Sequence, residues 1–384
     1  MSPEQGGYSL AVLDSRRREE RAEWEHAWCA FGGGDLFRHP AYLEQFAGPG
    51  EVARCALLTG PGTERVLHAF LHRPIEADAC GNPVEPGLWD ISTALLYGGP
   101  LATRDSAALL SAFWSRFRAW ARETGTVSEF IRTSPVAFPA ADPLLAYPGE
   151  VREQAPHIVR SLDAGSVEAL MADMHPNVRR GARKARAAGL DVVADTTGER
   201  LEAFLRIYAE TMDRRQAAER FRFPARAFAE LNAAFPGRFA YVYAVQGARP
   251  VAVELMLMDD RTGYFFLGGT ETAALPLYAS VLVHCEAIAL AWRRGLRSYV
   301  LTGGVTNTPE DSLLRFKRGF APRGEASYRT GQQVFDEERY RKLLCRGSAG
   351  GPEPGPEAEG FFPAYRARSA CGCGARADER EGAA

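Results

Sequence analysis

Lysine is almost missing from this chain. Its 384 residues include 46 basic side chains, of which 43 are arginine and only Lys184, Lys317 and Lys342 are lysine. A sequence with that bias places arginine wherever any positive charge suffices. A retained lysine then points to a position that wants an ammonium, since the two cations differ in shape, hydration and pKa tunability. The competing reading of Lys317 is a surface side chain whose stem lies along apolar neighbours. Long apolar runs are missing too. No stretch approaches the roughly 18 uninterrupted apolar residues of a membrane span. The opening MSPEQGGYSLAVLDSRRREE has no apolar core of signal-peptide length. Both features suggest a soluble, cytoplasmic protein without membrane insertion. Charge of one sign is also lacking: a net −2 argues against a protein that coats nucleic acid generally, while leaving room for a local basic groove.

Cysteine is sparse and unpaired in pattern. Seven are scattered along the chain. Cys29, Cys55 and Cys285 lie in apolar contexts, as small core residues do. Cys371 and Cys373 form the one close pair, with no second pair and no histidine nearby, which makes a poor zinc site. The pattern suits a reducing compartment. Neither a metal nor a redox cofactor is expected.

What is present reads as two successive α+β patterns. The chain is long for one core and comfortable for two. In the first, a strand (8–13) and a helix (16–31) precede Pro40, which opens a short helix. Strand-like runs at 52–59, 65–75 and 87–97 follow, separated by Gly/Pro/Asn turns. A helix at 105–124 carries Leu109, Phe113, Phe117 and Trp120 on one stripe, and a strand at 128–132 comes after it. In the second pattern, a strand (157–162) and helices at 166–174 and 176–188 lead to a strand at 190–194. Helices at 201–214 and 224–235 come next, then strands at 239–245, 250–258 and 263–267. A long, largely apolar helix at 275–294 reads as buried. The stretch RSYVLTGGVTNTPEDSLLRFKRGFAP, residues 297–322, reads as a strand, a glycine turn, a polar loop and a short helix from about Asp311. A last strand (326–335) and a terminal helix (337–344) close the core.

Helix, helix, antiparallel strands, long buried helix, strand is the order of an N-acyltransferase core of the GNAT kind, and the first half is a looser version of it. The expected architecture is α+β, with two tandem GNAT-like modules whose mixed, mostly antiparallel sheets are flanked by helices. The modules cover residues 1–160 and 161–335, and a terminal helix at 336–345 packs back on the core. Two copies imply a cleft between them, a usual place for a ligand. From 346 to 384 the Gly/Pro/Ala/Glu-rich sequence reads as a disordered tail, in which Phe361, Phe362 and Tyr365 form at most a small docking spot.

Three stretches together carry a family likeness: NVRRGARKARAAGLDV (177–192), AVELMLMDDRTGYFFLGGT (252–270) and LTGGV…DSLLRFKRGFAP (301–322). They resemble the Fem-type aminoacyltransferases, which have two GNAT-like modules and transfer an amino acid from aminoacyl-tRNA to an amine. The likeness covers roughly residues 35–345 and is weaker in the first half, through FRHPAYLEQF and YGGPL. It implies that Lys317, with Phe316 beside it, assists transfer from the tRNA ester. The first module would then be the acceptor side and the second the transfer centre. Relatives often have a longer aromatic-Arg-Gly-Pro run with an acid just beyond it. Here the run is Tyr97-Gly98-Gly99-Pro100, without arginine, and the first acid is Asp105. That departure tilts the acceptor from a peptidoglycan precursor toward a small peptide-like natural product.

The implied reaction is aminolysis of an activated acyl group. It needs a neutral amine, stabilisation of an oxyanion and a proton for the leaving 3′-hydroxyl. Lys317 suits the last two roles. Glu254 interrupts VAVELMLM, a strand apolar on both faces and therefore central. A carboxylate there is costly unless paired or functional. It would orient or deprotonate the incoming ammonium, or else pair with an arginine of the basic helix. That helix places Arg179, Arg180, Arg183, Lys184 and Arg186 together with no acids interleaved, which suits the phosphates of a tRNA acceptor stem. The bland reading is a solvated face pairing with Glu199 or Glu202. Tyr97, Arg132 and Tyr264 are candidate substrate contacts. His175 reads as a cap, His284 as a core residue, and Asp259 and Asp260 as turn residues.

An acyl-CoA N-acyltransferase is the main alternative. Its pyrophosphate would need the loop before the long helix to offer a basic residue and a run of N–H donors. Here GGTETAALPLYAS (268–280) offers neither, and Pro276 removes a donor. A non-catalytic tRNA- or peptide-binding protein is the second alternative, against which Lys317 and Glu254 both count.

Overall fold

The computed structural model describes residues 7–136, 142–217, 221–308, 310–344 and 361–367. The chain divides into two compact units. The first comprises Met1–Gly33, Phe37–Glu153 and Arg329–Ala384; the second comprises Gly34–Leu36 and Gln154–Tyr328. The division falls just after Glu153, within a strand, and the chain re-enters the first unit at Arg329.

In the first unit, β1 (Ser9–Asp14), β2 (Val52–Thr59), β3 (Arg65–Pro74) and β4 (Trp89–Ser92) pair antiparallel in that order. The two-residue β5 (Leu101–Ala102) pairs with β3. After α3 (Ala107–Glu123) the chain returns as β6 (Thr126–Arg132), parallel to β4. Phe113, Trp114 and Phe117 of α3 fill the core beneath these strands. Helices α1 (Arg18–Ala30) and α2 (Pro40–Gln45) precede β2.

The second unit repeats the plan. After β7 (Glu150–Ser161), α4 (Val167–Ala172) and α5 (Pro176–Ala187) come β8 (Leu190–Asp195), α6 (Leu201–Arg214) and α7 (Ala225–Ala234). Then β9 (Phe239–Gln246), β10 (Arg249–Met258) and β11 (Thr262–Thr270) follow. These run β8-β9-β10-β11, all antiparallel. Helix α8 (Ala279–Arg293) crosses to β12 (Ser298–Thr302), which is parallel to β11 and antiparallel to β7. In both units, therefore, an antiparallel meander ends in a helix and a parallel strand. Helix α8 is apolar nearly all round because it is covered nearly all round, by the sheet and by α5. Gly181 permits that contact: a Cβ there would lie 3.1 Å from Tyr278 and 3.3 Å from Val281. Helix α9 (Ser312–Arg318), β13 (Glu325–Val334) and α10 (Glu337–Leu343) complete the chain. From Thr330 to Val334, β13 pairs antiparallel with β6.

Several expectations are corrected. The run 87–97 is a strand only at Trp89–Ser92. Beyond it, side chains rather than a neighbouring strand take the carbonyls: Arg132 donates to Thr93 and Ala94, and Arg38 to Gly98 and Gly99. The long helix starts at Ala279, not Leu275. Residues Thr272–Leu277 form a 3-10 turn, and Tyr278 follows it at φ +57°. In the tail, residues 361–367 pack on the first unit, where Tyr365 and Arg366 both donate to the buried Asp90; the rest of 346–384 lies outside the described residues. Cys80 is disulfide-bonded, where the sequence pattern suggested unpaired cysteines, and Cys29 is exposed rather than a core residue. Among the described residues, no helix is long and apolar enough to cross a membrane.

Candidate active site

The site grows from the end of β12. Thr302 adopts φ +64°, where its pairing with β7 slips, and two glycines follow. A Cβ on Gly303 would lie 2.7 Å from His157, and one on Gly304 would lie 2.4 Å from Asp311. Both positions therefore require glycine. Asp311 then fixes the loop and starts the helix together. Its Oδ2 accepts from the Val305 and Thr306 amides and the Thr306 hydroxyl, at 2.8–3.0 Å. Its Oδ1 caps α9 by accepting from the Leu313 and Leu314 amides, both at 2.8 Å. These bonds, the Thr306 amide foremost, hold the carboxyl well below the usual range.

Helix α9 turns Lys317 back toward this loop. Its Nζ donates to Thr302 Oγ1 at 2.7 Å and to the Gly303 carbonyl at 2.6 Å, and lies 5.1 Å from the centre of the Phe265 ring. The residue is 2 % exposed. Burial pushes its pKa down to about 7, against the opposing charges of Glu254 and Asp311. An ammonium so placed changes charge near neutrality, where a proton donor and acceptor works best. His157, stacked on Tyr328 at 3.8 Å, is lowered to about 3 by burial and by the Lys317 charge, so it is neutral there.

Beside Lys317 lies a buried polar triad. Glu254, mid-strand on β10 and fully buried, accepts from the Tyr299 hydroxyl on Oε1 and pairs with His284 Nδ1 through Oε2. Burial and the Glu254 charge raise the Tyr299 hydroxyl well above its ordinary pKa, so it stays a donor. Phe265, Phe316 and Phe320 surround the His284 ring at centroid distances of 5.3, 5.4 and 5.1 Å. The partner of Glu254 is thus a histidine from α8, not an arginine of the basic helix. Sequence reading missed His284 because a lone histidine in an apolar helix gives no sign of what faces it across the sheet.

Residues 172–318 match the acetyltransferase (GNAT) domain family. Among solved structures, FemX superposes with a TM-score of 0.60 at 13 % identity, over 84 % of this chain and 98 % of FemX. The fold is that of a Fem-like tandem GNAT protein. A second neighbour is the C-terminal DUF2156 domain of an Agrobacterium fabrum protein described as a lysylphosphatidylglycerol synthetase. Its TM-score is 0.55 at 12 % identity, over 84 % of this chain and 95 % of that one. No curated protein sequence matches the chain.

The remaining candidates divide. On α5, Arg179, Arg180, Arg183 and Lys184 are all exposed, and none has an acidic partner among the described residues. Arg186 instead pairs with Glu286. Lys184 Nζ lies 5.2 Å from the centre of the half-exposed Tyr278 ring. His175 caps α5 by accepting from the Asn177 amide. Tyr264 is buried and donates its hydroxyl to Asp259 at 2.8 Å. Asp259 also accepts from the Arg261 and Thr262 amides, as a turn residue does. Tyr97 and Arg132 belong to the first unit. Tyr97 is buried edge-on against Phe37, and Arg132 supports the 93–94 backbone. Among the described residues, no group of three or more His, Cys, Asp or Glu is arranged to hold a metal ion.

Proposed function

We propose that this protein is an acyltransferase that moves an amino acid from aminoacyl-tRNA to the amine of a small peptide-like natural product or a peptidoglycan precursor, forming an amide. The observation that carries the reading is the buried Lys317 ammonium, fixed by Thr302 Oγ1 and the Gly303 carbonyl and poised near neutral pH. It polarises the ester carbonyl, then gives a proton to the departing ribose 3′-oxygen. No covalent intermediate is required. Burial beside Phe265 keeps the ammonium from bulk water, which strengthens its pull on a developing oxyanion. The unpaired cations of α5 suit the phosphates of the acceptor stem.

The test is direct. The protein is incubated with labelled aminoacyl-tRNAs and, separately, with labelled acyl-CoAs, and the label is followed into an amine acceptor. Transfer from tRNA supports the reading. Transfer from CoA alone replaces it with the ordinary GNAT donor, and tight tRNA binding without transfer replaces it with a binding protein.

A further inference from the structure

We propose that His284 is the proton acceptor for the attacking amine, with Glu254 and Tyr299 holding it in position. This inference rests on the aminoacyl-transfer reading above. Glu254 cannot itself meet the amine, because it is fully buried and its two oxygens are taken by Tyr299 and His284. The imidazole is therefore the group through which that carboxylate acts. With Nδ1 committed to Glu254, Nε2 is left without a hydrogen-bond partner among the described residues. It is also not one of the sealed, unsatisfied nitrogens, and His284 keeps 7 % exposure beside Phe265, the ring that also faces the Lys317 ammonium.

The first unit contains an instructive contrast. His68 pairs with Glu129 at 2.8 Å, yet it is 0 % exposed and its second nitrogen is buried without a partner. That pair is sealed in the core, whereas the His284 pair is open at one edge. A carboxylate that accepts from one imidazole nitrogen sets the tautomer and leaves the lone pair of the other nitrogen for a proton.

The proton balance closes without a co-reactant. The acceptor ammonium gives one proton to His284 Nε2 and attacks as the neutral amine. The C–N bond forms as the carbonyl electron pair moves onto oxygen. On collapse, the bond to the ribose 3′-oxygen breaks, and that oxygen takes a proton from Lys317. The surplus proton on the new amide nitrogen returns to Lys317, and the imidazolium releases its proton to water.

The test compares two nucleophiles with aminoacyl-tRNA as donor. One is an alkylamine, protonated at neutral pH; the other is hydroxylamine, already neutral there. In His284→Gln and His284→Asn, both checked for a native melting transition, transfer to the alkylamine falls roughly 10²–10⁴-fold while transfer to hydroxylamine falls far less. Lys317→Met loses both. Equal loss with both nucleophiles in folded His284 variants, or no loss with either, overturns the assignment while leaving the donor reading intact. A wild-type protein that leaves charged tRNA untouched with both nucleophiles overturns the donor reading and this inference together.

Discussion

At the scale of single residues, Lys317 carries a stability cost beside the chemical role proposed for it. Its folded pKa of about 7 lies below the unfolded lysine value of 10.5. The charged form is therefore penalised by folding, on the order of 5 kcal/mol at the full shift. That penalty is fully present below about pH 7 and is relieved as pH rises toward 10.5. Lys317→Met is accordingly expected to be more stable than wild type at pH 6, with the difference shrinking between pH 7 and 10.5, as denaturant melts across that range measure. The same variant loses at least ~100-fold in transfer. A folded Lys317→Met enzyme with normal turnover would remove the lysine from the mechanism. The sparseness of lysine singled this residue out in the sequence. The role of Glu254 was legible only in part, since its place in a doubly apolar strand marked it as unusual but not as the partner of His284.

At the scale of elements, the β12–α9 connection depends on Asp311. Asp311→Ala removes both the α9 cap and the anchor of the loop that positions Gly303. The expected cost is about 1–2 kcal/mol by thermal melt, with a fall in turnover larger than any change in acceptor KM. Because the folded carboxyl is depressed, its contribution is present above about pH 4 and is lost as pH falls below it. Helix α5 acts through charge. Reversing Arg183 and Lys184 to Glu is expected to weaken tRNA binding and reduce the slope of log affinity against log salt by about 1–2. An unchanged slope would reassign this face to plain solvation. The amphipathic period of α5 was readable from sequence. Its lack of acidic partners was not, because the candidates Glu199 and Glu202 are distant in sequence and only folding settles what they meet.

At the scale of the molecule, the first unit is assembled from distant parts of the chain. Strand β13 pairs with β6, and Gln333 reaches the buried Glu129. A fragment ending at residue 153 therefore lacks a sheet partner and leaves that carboxylate short of a donor. No cooperative thermal transition is expected from it alone, by circular dichroism. The segment 361–367 contributes further, since Tyr365 and Arg366 donate to the buried Asp90, which also holds Arg73. Truncation after Leu344 is expected to cost about 1–3 kcal/mol, and an unshifted melting temperature would show that the contact is dispensable. A Gly/Pro-rich composition concealed this docking, because seven residues around two aromatics carry too little pattern to stand out.

The sequence by itself determined the order of elements and the repeated GNAT-like plan, and it singled out Lys317 as an unusual cation. Those features follow from local periodicity, turn chemistry and the conspicuous choice of one cation over another. The tertiary structure alone decided that Glu254 bonds His284 and Tyr299, that Tyr264 turns inward to Asp259, and that Thr302 and Gly303 hold the ammonium. Each of these joins residues from separate strands and helices. Their meeting depends on sheet register and on helix packing over the sheet, which no window of neighbouring residues specifies.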